Sequence, residues 1–294
     1  MSMSLPKLPA RAAYLTLYQP RNRNTLTAQI LSSIRQQLIK YNTPPGEIKP
    51  LFLPDFSRAV YQQSFGPTSK GGSAFEGEYS WLEDAEEWRK RRRDLPKVLV
   101  LRTRGPVFSA GHDLKYLEET DKSYQKFNRI FRRCADVISL IRQSPIPVVG
   151  VIQGLATGAG AQLALSTDLP VAIASVQFQL PGLSVEFPST SPSTVPAKLG
   201  NAFIYRMLTL AEPVRADKLP AGAVETVPDM AALEKRVLEI VDKLVNRSSG
   251  QAQAQAMGKW AYWTQVGMGI QGDYKGIFED DFAAAKAMAF LRRY

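Results

Sequence analysis

The chemistry open to this chain is narrowed first by scarcity: its 294 residues contain one histidine, His112, and one cysteine, Cys134. A single imidazole leaves one conventional neutral-pH base and argues against a multi-histidine metal site. One thiol excludes an internal disulfide framework, and Cys134 falls on the apolar face of a predicted helix, where it reads as core. The richer signal is in two glycine turns, Phe108-Ser-Ala-Gly-His-Asp-Leu114 and Gly154-Leu-Ala-Thr-Gly-Ala-Gly160. Glycine lets a backbone turn sharply, and the N-terminus of the helix that follows offers unpaired N–H groups, so two such turns can aim two amide donors at one oxygen. That is the chemistry of an oxyanion hole. Carboxylates near these turns and the later loop are Asp113, Glu118, Glu119 and Glu186, and only Glu186 lies in the loop itself.

Each turn needs a strand to carry it. The apolar stretches 97–103 and 147–153 read as strands lying side by side in a parallel sheet, with both turns at its carboxyl edge. A helix over about 123–143 has Phe127, Ile130, Phe131, Cys134, Ile138 and Ile141 on one face. Upstream, 12–17 reads as an opening strand, and Pro20, Asn22 and Asn24 as a turn, with Asn24 capping a helix over about 25–40. Residues 42–80 have no clear period and are punctuated by Pro44-Pro45, Gly66-Pro67 and Gly71-Gly72, as expected of a surface insertion. A charged helix is expected over 81–93. A short helix to Ser166 and a strand over 171–174 follow the second turn, and the Pro/Ser-rich loop 180–193 faces the same sheet edge. Beyond about residue 201 the chain reads as helices, with Asp229 and Ser248/Ser249 as caps. Trp260, Tyr262 and Trp263 read as packing residues.

The charge of +10 and pI near 9.6 call for a polyanionic partner such as a nucleic acid, an acidic membrane or a phosphate-rich cofactor. The densest cluster, Arg89 to Arg93, follows Glu83, Glu86 and Glu87, and reads as a solvated helix face rather than a nucleic-acid patch. No apolar run approaches the roughly 18 residues of a membrane span. The N-terminus has no secretory core, which makes the cytoplasm the default expectation, with mitochondrial and peroxisomal homes left open. The second turn alone would fit a dinucleotide site, but it is not on the first strand and no Tyr-x-x-x-Lys pair follows it.

The segments Phe108-Ser-Ala-Gly-His-Asp-Leu-Lys115, Pro145-Ile-Pro-Val-Val-Gly-Val-Ile-Gln-Gly154 and Ala159-Gly-Ala-Gln-Leu-Ala-Leu-Ser-Thr-Asp168 together resemble the crotonase superfamily of enoyl-CoA hydratases and isomerases. The opening Leu15-Thr-Leu-Tyr-Gln-Pro-Arg-Asn-Arg-Asn-Thr-Leu26 resembles that family's first strand and turn. The resemblance implies an α/β fold, a ββα spiral over 12–200, with a helical region over 201–294 used for trimer or hexamer formation. It also implies an acyl-CoA ligand, with coenzyme A as part of the substrate and no permanently bound cofactor. The oxyanion donors would be the N–H groups of His112 and Ala159, with the His112 ring turned away. Arg21 and Arg23 would meet CoA phosphates, Ala110 and Leu114 the adenine, and Lys115 the nucleotide phosphates. Gln162, Pro181, Gly182, Ser189 and Thr190 would line the acyl pocket, and Asp168 would be structural.

Departures from the family pattern bear on the chemistry. A hydratase of this family uses two glutamates, where this chain has Gln162 and Gly182, and the later acid of some isomerases falls near Thr190. Glu186 is the remaining acid/base candidate. The expectation is an acyl-CoA-binding lyase or isomerase relative that hydrates poorly. Two alternatives are a decarboxylase or other enolate-forming enzyme, suggested by His112, and a non-catalytic oligomeric scaffold. The closing stretch 289–294 also lacks the family's usual glutamate and glycine, which bears on nucleotide affinity and trimer geometry.

Overall fold

The computed structural model describes residues 5–56, 60, 79–113, 124–182, 184 and 198–270. The chain divides into two compact units, one of residues 1–51 and 94–247, the other of 52–93 and 248–294.

The first unit is built on a parallel sheet. Strands β1 (Ala12–Leu17), β2 (Val98–Thr103), β4 (Val148–Ile152), β6 (Leu169–Ile173) and β9 (Glu225–Val227) lie in that order, all parallel. A second sheet takes β3 (Val107–Ser109), β5 (Leu155–Thr157) and β7 (Gln177–Gln179), closed by antiparallel β8 (Val214–Arg215). From β2 to β7, sequential strands therefore alternate between sheets. β2 passes to β3 and then to helix α4 (Tyr124–Gln143), and β4 passes to β5 and then to α5 (Ala159–Ser166).

Burial on both faces explains why β2 and β4 read as unbroken apolar runs. On one face Leu99, Leu101, Val148 and Ile152 join the core of Leu31, Ile34 and Leu38 from α1 (Ala28–Asn42) and Ile130, Cys134, Ile138 and Ile141 from α4. Burial pushes the Cys134 thiol up to about 12, which keeps it protonated and unreactive. On the other face Val98, Val100, Val149, Val151 and Val171 pack against Leu233, Val237 and Val241 of α7 (Met230–Val245). Asp229 caps α7 by accepting from Ala232 N–H at 2.8 Å. The far end of α7 is closed by Lys97, whose Nζ donates to the carbonyls of Val245 and Arg247 at 2.8 and 2.6 Å. Asp168 ties the sheet together, its Oδ2 accepting from Val148 N–H at 2.7 Å.

Three expectations are corrected here. The cap of α1 is Thr27, whose hydroxyl accepts from Ile30 N–H, and Asn24 has φ +53°, outside the helix. The region beyond residue 201 is not helix alone: besides α6 (Asn201–Leu210) it supplies β8 and β9, and β9 completes the first sheet. The glycine turns also contain β3 and β5.

In the second unit, Asp84 splits the expected charged helix into α2 (Ser80–Glu83) and α3 (Ala85–Arg91), capping the latter through Glu86 and Glu87 N–H. Trp81 stacks on Trp88 at 5.6 Å and Arg92 lies over Trp88 at 5.0 Å, so Arg92 is buried rather than solvated. Helix α8 (Ser249–Ile270) starts with a reciprocal cap between Ser248 and Gln251, and Gln253 donates to the carbonyls of Leu82 and Glu83 at 3.0 Å. Trp260 and Trp263 are buried and Tyr262 is exposed. Of the insertion expected on the surface over 42–80, the described part includes buried Leu51 and Leu53, so it is not surface throughout, while the terminus 271–294 lies outside the described residues. Among the described residues no helix is long and apolar enough to cross a membrane.

Candidate active site

The two glycine turns meet. Gly111 has φ +80°, and a Cβ there would stand 2.8 Å from the Thr157 carbonyl oxygen and 3.3 Å from Ala159 N. Only hydrogen fits between the first turn and the start of α5. A second close approach reinforces the first, since a Cβ on Gly160 would lie 2.5 Å from Ser109 O. Gly158, at φ +54°, turns the chain into α5 and donates its N–H to Gln179 O at 2.9 Å. Ala159 then occupies the first helical position, where the helix supplies no acceptor for its N–H.

Asn24 holds the first turn in place. It is buried, its Oδ1 accepts from Gln19 N–H at 2.9 Å, and its Nδ2 donates to the carbonyls of Arg104 and Val107, both at 2.8 Å. The Asn24 carbonyl accepts from Ser109 Oγ at 2.8 Å, and the same hydroxyl accepts from Gly111 N–H at 3.2 Å. Arg23 O accepts from Ala110 N–H at 3.0 Å and Gly111 O from Leu26 N–H at 2.8 Å. The turn after β1 is thereby laced to the turn after β3. Left-handed backbone at Asn24 suits asparagine, whose amide bonds locally and tolerates positive φ.

With the Gly111 carbonyl and amide both engaged, His112 N–H has no backbone acceptor among the described residues. Its ring packs edge-on to Phe131, centroids 4.8 Å apart, with Nδ1 buried and unpartnered among those residues. Burial lowers its pKa below the ordinary imidazole value, with the Leu26 backbone carbonyl opposing. The folded protein therefore takes up this proton at lower pH than the unfolded chain. The stability that the neutral ring contributes is complete above about pH 6.5 and is lost as pH falls toward the folded-state value. Relative to His112→Gln, the wild type should lose up to about 1.4 kcal/mol per pH unit more on acidification below pH 6.5. Denaturant midpoints across pH 7 to 5 measure this, and parallel curves would contradict it.

Of the other sequence-predicted residues, Gln162 is buried on α5 and its N–H donates to Gly158 O at 3.1 Å. Pro181 faces the second turn, its Cδ 4.0 Å from where a Gly158 Cβ would be, and Gly182 follows it. Ala110 is joined to Arg23, while the Arg21 and Arg23 side chains are exposed. Leu114, Lys115, Glu186, Ser189 and Thr190 lie outside the described residues. Sequence reasoning missed Asn24 as the organiser and Phe131 as the ring's neighbour. The Asn24 signal was present in the Arg-Asn-Arg-Asn turn, which suits left-handed backbone as well as a helix cap. Among the described residues no group of three or more His, Cys, Asp or Glu is placed to hold a metal ion.

Parallel strands that each pass to a short strand of a second sheet before a helix define a crotonase fold, and solved structures agree. Human enoyl-CoA hydratase domain-containing protein 3 is matched over 95% of this chain and 86% of its own, with TM-score 0.64 and 25% identity. An enoyl-CoA hydratase from Mycobacterium smegmatis is matched over 98% and 90%, with TM-score 0.66 and 25% identity. The family model for enoyl-CoA hydratase/isomerase matches residues 85–265, and the chain belongs to that family. Among curated relatives, mouse mitochondrial enoyl-CoA hydratase domain-containing protein 3 is 33% identical over 199 residues, covering 65% of this chain. The match spans 61% of that relative's length.

Proposed function

We propose that this chain binds an acyl-CoA thioester and polarises its carbonyl between the backbone N–H groups of His112 and Ala159. The observation that carries the reading is the contact of Gly111 with the start of α5, which sets the two turns within van der Waals distance. Each such donor is typically worth about 3 kcal/mol in an enolate-like transition state. Backbone donors need no particular side chain, so the packing of the His112 ring against Phe131 is compatible with the role. A decarboxylase would draw on the same two amides, which would hold the enolate left as carbon dioxide departs.

The CoA phosphates are assigned to Arg21, Arg23 and Lys115 and the adenine to Ala110 and Leu114. Glu186 is the acid or base, and Pro181, Gly182, Ser189 and Thr190 with Gln162 form the acyl pocket. Glutamine orients a water but cannot take its proton, and glycine does neither, so ordinary hydration is slow here. The working unit is a trimer or a pair of trimers acting in fatty acyl metabolism. The mouse, rat and human relatives are described as mitochondrial, which sets the mitochondrion beside the cytoplasm as the place of this reaction.

Titration with crotonyl-CoA, followed by infrared difference spectroscopy of the ¹³C-labelled carbonyl, tests the reading. Saturable binding with the carbonyl stretch moved to lower wavenumber is expected, with the shift absent in Gly111→Ala. Binding without the shift would favour the scaffold alternative, and turnover above about 10 per second would overturn the statement about hydration.

A further inference from the structure

A cavity of about 630 Å³ opens at the carboxyl edge of the first sheet, on the face that α7 covers. That size suits a small-molecule ligand. Its position follows from strand parity. Along β2 the α7 face runs Val98, Val100, Arg102 and continues past the strand end to Arg104. Along β4 the same face runs Val149, Val151 and continues to Gln153. The face is apolar where α7 covers it and turns polar on adjacent strands where the cavity begins. The carboxyl ends of parallel strands are where open α/β sheets place ligands.

The walls carry both charged and apolar residues. Arg102 is buried and donates to the Glu234 carboxylate through both terminal nitrogens, Nη1 at 2.7 Å, so those two charges satisfy each other. Arg104 is left with its guanidinium lying over the Tyr18 ring at 5.1 Å, and no described carboxylate pairs with it. A stacked guanidinium keeps its edge N–H groups available, and that fork matches a carboxylate. Leu5, Pro6, Pro20, Pro106, Ile173 and Met230 supply the apolar lining. The segment carrying Leu5 and Pro6 is fixed by Tyr14, whose hydroxyl donates to Pro6 O at 2.7 Å.

We propose that this cavity is a second ligand site, that it takes a small free carboxylic acid with an apolar tail, and that Arg104 is its anchor. One cation left uncompensated among the described residues selects a monoanion. A phosphate ester carrying nearly two charges would need a second cation, and Arg102 is committed to Glu234. The site also touches the candidate active site through shared backbone, because the Arg104 carbonyl accepts from Asn24 Nδ2 and Pro106 O abuts Gly154. The assignment does not depend on the acyl-CoA reading.

Calorimetric titration of the full chain with octanoate and, separately, with octyl phosphate tests it. Saturable octanoate binding is expected, tighter than octyl phosphate, weakened at least about tenfold by Arg104→Gln. Met230→Trp, which adds bulk to the apolar lining and leaves Arg104 in the sequence, should weaken it as well. Thermal melting confirms that each variant is folded. Absence of saturable binding, equal or tighter octyl phosphate binding, or octanoate affinity unchanged in both variants would overturn the proposal.

Discussion

Replacing Gly154 with alanine should unfold the sheet edge rather than merely perturb it. The added Cβ would stand 1.8 Å from the carbonyl oxygen and 2.7 Å from the carbonyl carbon of Pro106, both backbone atoms that cannot rotate aside. Backbone must move, and the backbone in question is the turn between β2 and β3 that Asn24 holds through the Arg104 and Val107 carbonyls. A loss of about 4 kcal/mol or more is expected, the range reached by overpacking a site that cannot relax. For a unit of this size that corresponds to a fall in Tm on the order of 10 °C. Thermal and denaturant unfolding of Gly154→Ala measure it, and a change under about 1 kcal/mol would mean that the Pro106 turn swings away freely. Gly154 is not among the glycines with positive φ, so its cost is one of packing, whereas Gly46, at φ +82° with nothing within 4 Å of an added Cβ, presents the converse case of a conformational cost without a clash.

The second large effect is a gain. Gln162→Glu combined with Gly182→Glu should raise crotonyl-CoA hydration by about 10²-fold, the lower end of what positioned acid and base groups contribute. The two carboxylates are needed together, because one activates the water while the other handles the α proton. Each single variant should therefore show little, as expected of groups that act as a unit. Burial at residue 162 raises the pKa of an introduced carboxyl, which favours the proton-donor role there. Steady-state hydration rates of the wild type, both single variants and the double variant decide the matter. A double variant that binds crotonyl-CoA as the wild type does yet gains nothing would place the acyl β-carbon elsewhere.

The parts of this molecule that could be read from sequence are those with long periods or long apolar runs. Strands β2 and β4 declare themselves because both faces are covered, and α4 because one stripe repeats every three to four residues over its 20-residue length. The glycine turns were legible as turns. Their inner strands β3 and β5 were not, since three residues such as Val107-Phe108-Ser109 are too few to show an alternation. Asn24 was read as a helix cap because side-chain bonding to nearby backbone serves caps and left-handed turns alike. Which one forms depended on Val107 and Arg104, some 80 residues away. Arg92 shows the same limit among charges: its neighbours Arg89, Lys90 and Arg93 are exposed, and nothing in the run marks which arginine will find Trp88. Of the candidate site, the assignment of the two amides rests on motif resemblance, while the meeting of the two turns required the packing of Gly111 and Gly160.

The order of strands in the first sheet also governs how the chain acquires its fold. Among the described residues β1 pairs only with β2, and the register sets Ala12 against Val98, 86 positions later. At the other edge β9 pairs with β6, Val171 against Glu225, across 54 positions. Both edges thus require closure of long loops before any pairing energy is gained, whereas β4 and β6 pair across only 20 positions, Val149 against Leu169. Folding should begin at the centre of the sheet and finish at its edges on a slow timescale. During synthesis β1 emerges well before its partner exists and waits as an unpaired apolar strand, which makes the growing chain a natural client for chaperones.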